Sequence, residues 1–312
     1  VVFAAQIAAQ DNSAVTGTVR IGTWDTGPGL VVWDTVINHF KEAYPNVTVS
    51  FEPVPQDYGT KLLAQFASGS APDVFQVGDG DAAKYQSLGV IANLDEYIDG
   101  PDGFDRSILY PGIAAFGEIG GSTYYLTKDY SPLVLYYNKD LFDAAGVAYP
   151  TAEWTWDDLL AAAQKLTVDF SGNDATSGSF DANNIQRWGI WMPDSWGDTA
   201  WERGILPLIY QNGGTQVSPD GMTATGYMNS DANVEALQWY VDMFKVHHVA
   251  ISKTDYASFA GADMFATQNA AMMWTGSWPL NDYINGDNAL TFNFGTNILP
   301  AGPAGNANAL CW

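Results

Sequence analysis

Apolar positions along the first eighty residues change period in a regular order. Residues 19–24 (VRIGTW) form a short β-rich run that stops at Asp25-Thr26-Gly27-Pro28-Gly29. Residues 30–44 then carry Val32, Val36, Ile37, Phe40 and Tyr44 near helical spacing, until Pro45 ends the pattern. Residues 47–51 alternate as a strand, and 58–67 are helical again up to Gly69. Pro72-Asp73 introduces residues 74–77 as a buried strand, and Gly78-Asp79-Gly80-Asp81 reads as a tight turn. This alternation predicts an α/β unit with a parallel sheet. Ligands of such open sheets bind outside the C-terminal strand ends, so the loops 24–29 and 78–81 fall on the ligand side.

A second block follows. Residues 133–137 (LVLYY) predict a dense strand, then a short helix that ends at Gly146. Thr155 and Asp158 have capping-box spacing for an amphipathic helix through Leu166. Residues 168–184 form a polar loop rich in Asp, Asn, Ser and Gly. A strand at 188–191, helices around 201–210 and 231–246, and a strand at 270–275 complete the block. Its part from 188 to 278 holds seven of the 12 tryptophans: Trp188, Trp191, Trp196, Trp201, Trp239, Trp274 and Trp278. Trp33, Trp188 and Trp239 fall at regular spacing, which predicts core positions.

Composition narrows the chemistry. The chain has 312 residues, 47% of them hydrophobic, and a net charge of -23 from 12 basic and 35 acidic side chains. That charge repels phosphate backbones and excludes nucleic acid as a partner class. One Cys precludes an internal disulfide, and one Cys with three His supplies no His/Cys zinc site. No cofactor or metal is expected. Residues 169–174 vaguely match a calcium loop, but Gly is missing from its sixth position and Phe180 stands at its twelfth, so a plain polar loop is preferred. P-loop and serine-elbow patterns are absent, and the many carboxylate pairs are what 35 acidic residues produce by chance. Residues 1–10 (VVFAAQIAAQ) read as the tail of a signal peptide, which implies export.

The stretches VRIGTWD (19–25), KLLAQFASGSAPDVFQV (61–77), LGVIANLDEYI (88–98), LVLYYNKDLFDAAGV (133–147), TWDDLLAAAQKLT (155–167), AAMMWTGSW (270–278) and ILPAGPAG (298–305), in this order, resemble the sugar-binding extracellular solute-binding proteins of ABC transporters, the family that includes maltose-binding protein. The resemblance implies a two-lobed α/β fold with hinge crossings and a ligand cleft. Read onto this chain, 1–18 is a flexible signal remnant, 19–128 the first lobe, 129–291 the second, and 292–312 a return crossing into the first. Family members continue beyond the last stretch with further helices and a third crossing, so a truncated record is expected. The implied function is capture of a neutral sugar or short oligosaccharide in the periplasm or outside the cell. Hinge closure then delivers the cargo to a membrane permease, without catalysis, from a monomer. The alternatives are a secreted glycoside hydrolase and a binder of a phosphorylated or anionic solute with the same fold.

Sugar rings offer apolar C–H faces beside hydroxyls, so their sites combine aromatic platforms with hydrogen-bonding groups. Trp278 follows a buried strand in the turn Gly276-Ser277-Trp278-Pro279, where the family contributes a stacking aromatic. Trp196 and Trp201 precede a helix of the second block, where the family also places an aromatic. Trp24 ends the first strand, with a core position as its alternative, and Asp25 points to the cleft mouth. Asp79 lies in the glycine-flanked turn, and Asp129 and Tyr130 stand before the first crossing strand. Tyr58 and Gln76 complete the set.

Overall fold

The computed structural model describes residues 12–100, 103–110, 113, 116–129, 131–193, 200–286, 289–308 and 310–311. The leader-like segment 1–10, Tyr130 and Trp196 lie outside the described residues. The chain separates into two compact units, Val1–Lys128 and Asp129–Cys311.

In the first unit, β1 (Gly17–Thr23), β2 (Val47–Pro53) and β3 (Val74–Phe75) form a parallel sheet in the order β2-β1-β3. The helices α1 (Pro28–Ala43), α2 (Tyr58–Ser68) and α3 (Asp79–Ser87) alternate with these strands, and α4 (Asp95–Ile98) follows. The hairpin β4 (Glu118–Ile119) and β5 (Ser122–Thr123) comes last. Helix α2 ends on Gly69 in the left-handed conformation at φ 67°, which glycine adopts without a Cβ penalty.

Three local expectations are corrected. Helix α1 turns Trp33 and Ile37, one turn apart, inward: Trp33 packs on Phe51 of β2 at 5.6 Å and Ile37 is buried, while Val32 and Val36 are exposed. The apolar stripe read from the sequence therefore keeps Ile37 but loses Val32 and Val36, because the large indole decides which face docks. Strand β3 spans two residues and its Val74 is exposed. Residues 79–81 form the first turn of α3 rather than a tight turn, with extended Gly78 as N-cap. Two acidic residues in a first turn favour that outcome, since the amide dipoles leave a helix N-terminus positive.

In the second unit, β6 (Ser131–Asn138), β7 (Val168–Asp169), β8 (Ile185–Trp191), β9 (Ala270–Gly276) and β10 (Phe294–Asn297) run in the order β10-β6-β9-β8-β7, and β11 (Leu310–Cys311) pairs with β6. Strands β8 and β9 are parallel and the other pairs antiparallel. Residues 292–311, read from the sequence as a return crossing, join this sheet through β10 and β11. The helices are α5 (Lys139–Ala145), α6 (Trp156–Leu166), α7 (Leu206–Gln211), α8 (Asp231–Lys245), α9 (Lys253–Tyr256) and α10 (Leu280–Asn285). A π-helical segment, Ala200–Ile205, leads into α7, where the sequence predicted a plain helix from Trp201.

Every residue of β9 is buried, so it reads as an unbroken apolar run. Met272 and Trp274 face a core with Leu133, Leu135, Leu159 and Leu166. Met273 faces a second core with Tyr136, Trp188, Phe265 and Tyr283. Period-two alternation therefore buries both faces of one strand. Of the predicted core tryptophans, Trp188 is buried, Trp239 stacks on Trp156 at 4.6 Å, and Trp33 is half-buried. Helix α6 starts at a full capping box: Thr155 N–H donates to Asp158 Oδ2 at 2.8 Å, and Asp158 N–H donates to Thr155 Oγ1 at 3.3 Å.

The loop after α6 is organised by Asp169, whose side chain accepts from the Asn173 amide and from the backbone N–H groups of Ser171, Asn173 and Asp181. The Asn173 amide and these N–H groups hold its carboxyl at about 2, below the usual carboxylate value. Among the described residues no cluster of His, Cys, Asp and Glu is suited to a metal ion. Because the folded value lies below the unfolded one near ~3.9, this carboxylate adds stability that is complete above about pH 4 and is lost as pH falls toward 2. Asp169→Asn is expected to flatten that part of an acid-unfolding curve. An unchanged slope between pH 4 and 2 would show that the loop does not depend on this charge. Among the described residues, no helix is long and apolar enough to cross a membrane.

Candidate functional site

The first unit carries a pocket of about 190 Å³ at the C-terminal ends of β1 and β3. Trp24 follows β1, Gln76, Val77 and Gly78 follow β3, Tyr58 and Gly59 open α2, and Asp81 and Tyr85 lie on α3. A parallel sheet fans its helices away from these strand ends, which is why a crevice forms there. Trp24 and Tyr58 meet edge to face at 5.4 Å and 83°. The Tyr58 hydroxyl donates to the Gly22 carbonyl at 3.2 Å, and Thr23 Oγ1 donates to Gln76 Oε1 at 2.5 Å. That bond leaves the Gln76 amide N–H₂ to donate elsewhere. Burial pushes the Tyr58 and Tyr85 phenols above their ordinary values, so both are neutral hydrogen-bonding groups around neutral pH. The pocket falls below the roughly 300 Å³ at which ligand sites of drug size begin, so it suits one part of a larger ligand.

Beside it, Asp25 is committed within the fold. Trp33 Nε1 donates to its Oδ2 at 2.6 Å and Lys128 Nζ lies 3.0 Å from the same oxygen. Burial alone would raise this carboxyl, but the hydrogen bonds from Lys128 and Trp33 outweigh it and hold the group below its ordinary value. Lys128 also lies 5.7 Å from the Trp33 ring.

In the second unit, Trp278 stands in the turn that leaves buried β9 and is 44% exposed. The turn is anchored on both sides: Tyr136 Oη donates to the Gly276 carbonyl at 3.1 Å, and Ser277 N–H donates to the Pro132 carbonyl at 3.1 Å. Gly276 is required by close approach, because a Cβ there would fall 1.8 to 2.4 Å from three atoms of the six-membered ring of Trp278. The Arg203 guanidinium lies 4.7 Å from the Trp278 ring centre. The site therefore presents an exposed indole on a rigid stem.

The structure brings Trp24, Tyr58 and Gln76 together in one pocket. Asp25 lies beside them but does not line it, and Asp129 is exposed at the start of the second unit with an interaction of its own. Asp79 opens α3 and Trp201 lies in the π segment, and the side chains of both fall outside the described residues, as do Trp196 and Tyr130 entirely. Sequence reasoning did not single out Asp81 and Tyr85. Their signal is helical spacing after Gly78, hidden once residues 78–81 are read as a turn. Arg203 carries no local cue in the sequence, because it stands 75 positions from Trp278.

The profile of the family described as bacterial extracellular solute-binding protein matches residues 26–310. A binding protein of Brucella abortus (strain 2308) is 26% identical over 307 residues, covering 96% of this chain and 67% of its own length. The sn-glycerol-3-phosphate-binding periplasmic protein UgpB of Yersinia enterocolitica is 26% identical over 246 residues, covering 76% of this chain and 50% of its own length. Among solved structures, the ABC substrate-binding protein Lmo0181 of Listeria monocytogenes, in complex with cycloalternan, aligns with a TM-score of 0.76 at 29% identity, over 95% of this chain and 71% of that one. The GacH receptor of Streptomyces glaucescens shares the fold, with a TM-score of 0.74 at 24% identity over 95% of this chain and 70% of that one. This chain spans about two-thirds of the Brucella protein and half of UgpB. A match that runs through both units, joined to likeness in fold, makes the chain a member of the bacterial extracellular solute-binding protein family.

Proposed function

We propose that this protein captures a neutral sugar or short oligosaccharide outside the cytoplasm and delivers it to the permease of an ABC transporter, leaving the cargo chemically intact. The observation that carries the reading is the pairing of aromatic faces with uncharged hydrogen-bonding groups: Trp24, Tyr58 and Gln76 in the first unit and Trp278 in the second. Two cations beside these groups already have partners, Lys128 on Asp25 and Arg203 on Trp278. Phosphate recognition normally recruits Arg or Lys forks with geometry of their own. The Listeria relative solved with cycloalternan supports a carbohydrate cargo. In this reading export depends on the leader-like segment 1–10, and the protein acts as a monomer. Closure on a hinge is driven by the higher affinity of the closed form for cargo.

The UgpB relatives give the second reading, a phosphorylated small polyol. Thermal-shift screening of mono-, di- and oligosaccharides, followed by calorimetry of the best sugar and of sn-glycerol-3-phosphate, separates the two. The neutral sugar is expected to bind at least tenfold more tightly. Tighter binding of the phosphate would overturn the neutral-cargo reading. Recovery of hydrolysed sugar would point instead to a glycoside hydrolase.

A further inference from the structure

We infer that Arg203 is a positioning residue for the Trp278 indole and thereby sets the affinity for sugar, an inference that rests on the platform reading above. The backbone and the side chain of Arg203 are tied to two tryptophans of one strand and turn. Its carbonyl accepts from Trp274 Nε1 at 3.2 Å, and its guanidinium lies 4.7 Å from the Trp278 ring centre. Trp274 is fully buried in β9, whereas Trp278 is 44% exposed beyond the end of the same strand. Arg203 thus joins a fixed point of the core to the exposed indole.

The backbone around Arg203 is unusual. It lies in the π-helical segment Ala200–Ile205, and single π turns arise where an irregular ladder lets a carbonyl or side chain serve another partner. Here that partner is the Trp274 N–H. A planar guanidinium stacks on an aromatic face with fixed orientation, which an ammonium does not do. Gly276 completes the seat, since its lack of a Cβ admits the six-membered ring of Trp278. Arg203 and Gly276 together define the plane that Trp278 offers, and a sugar face stacked on that plane depends on its orientation.

The test uses this chain labelled with 7-fluorotryptophan, whose fluorine lies away from the ring atoms seated on Gly276. The Trp278 signal is the one missing from Trp278→Phe among the 12 tryptophans. Arg203→Met is expected to move the Trp278 signal by more than its linewidth, with Trp274 the only other signal affected, and Arg203→Lys to return it only part of the way. Should the methionine variant not fold, Arg203→Gln takes its place. A Trp278 signal unmoved in the charge-removing variant overturns the inference. For the sugar arm, the probe is whichever of maltotriose, mannobiose and cycloalternan binds the unmodified chain most tightly. Arg203→Met is expected to weaken it about two- to fivefold, and not further in a Trp278→Ala background. An additive loss in the double variant also overturns the coupling to Trp278. Unchanged affinity in Trp278→Ala alone would instead remove the platform reading on which the inference stands.

Discussion

Trp278→Ala is expected to weaken sugar binding about thirtyfold while leaving the melting temperature almost unchanged. A sugar face stacked on indole is desolvated on one side, and such aromatic contacts exceed plain area burial by roughly 0.5–1.5 kcal/mol. Adding the lost apolar contact at about 25 cal/mol per Å² brings the total to the order of 2 kcal/mol, which is the thirtyfold change. The stability side follows from exposure. Trp278 is 44% exposed and beyond the end of β9, and the backbone of the turn that bears it is held by the Tyr136 hydroxyl and the Pro132 carbonyl, neither of which involves the indole. Calorimetry and a melting curve on the same preparation check both halves. Full affinity in a folded variant refutes the platform, and a collapsed melting temperature marks Trp278 as a core residue.

What the sequence disclosed follows how local each signal is. The capping box at Thr155 and Asp158 needs three residues of spacing, and the structure closes both of its bonds. The strand at 270–275 reads directly, since a run such as AAMMWT has no polar face to leave in water. The path from β1 to α2 is equally legible, because periodicity, Gly69 and the proline at 45 mark the element ends. The orientation of α1 was legible only in part. Ile37 and Trp33 read as inward and are, whereas Val32 and Val36 read with them are exposed, and the tertiary contact of Trp33 with Phe51 decides between the two edges of the stripe. The turn at 78–81 failed for a related reason. Glycine-aspartate alternation satisfies both a turn and a helix start, and the helical continuation through Tyr85 decides.

The site shows the same division. Trp24, Tyr58 and Gln76 stand at strand ends and a helix start, which mark the ligand side of a parallel sheet, and the structure gathers them around one candidate pocket. Asp25 illustrates what is not legible. A carboxylate at a strand end looks available in sequence, yet Lys128, 103 positions away, and Trp33 hold it. The same applies to Arg203, whose significance lies in contacts with Trp274 and Trp278 more than seventy positions on. Long-range partners decide whether a charged group is offered to a ligand or spent within the fold.

Trp274→Ala is expected to produce the opposite result to Trp278→Ala, although the two residues stand four apart. Trp274 is 1% exposed, lies opposite Leu135 in the β6–β9 ladder, and belongs to the larger core with Met272, Leu133 and Leu159. Removing a fully buried indole loses its transfer energy and opens a cavity that the sheet cannot close, at roughly 3–5 kcal/mol. For a unit of this size that lowers the melting temperature by on the order of 10 °C. Trp274→Phe separates packing from hydrogen bonding: it keeps most of the ring but leaves the Arg203 carbonyl without the Nε1 donor, a loss of about 1–3 kcal/mol where no water replaces it. The phenylalanine variant is therefore expected to melt between the wild type and the alanine variant, with a sugar affinity that falls because the Arg203 turn is released. Melting temperatures for the three proteins, taken with calorimetry on the same sugar, decide the matter. An alanine variant that melts with the wild type would show that β9 does not organise the core. A phenylalanine variant with wild-type affinity would show that the Trp274–Arg203 bond does not bear on the indole beyond it.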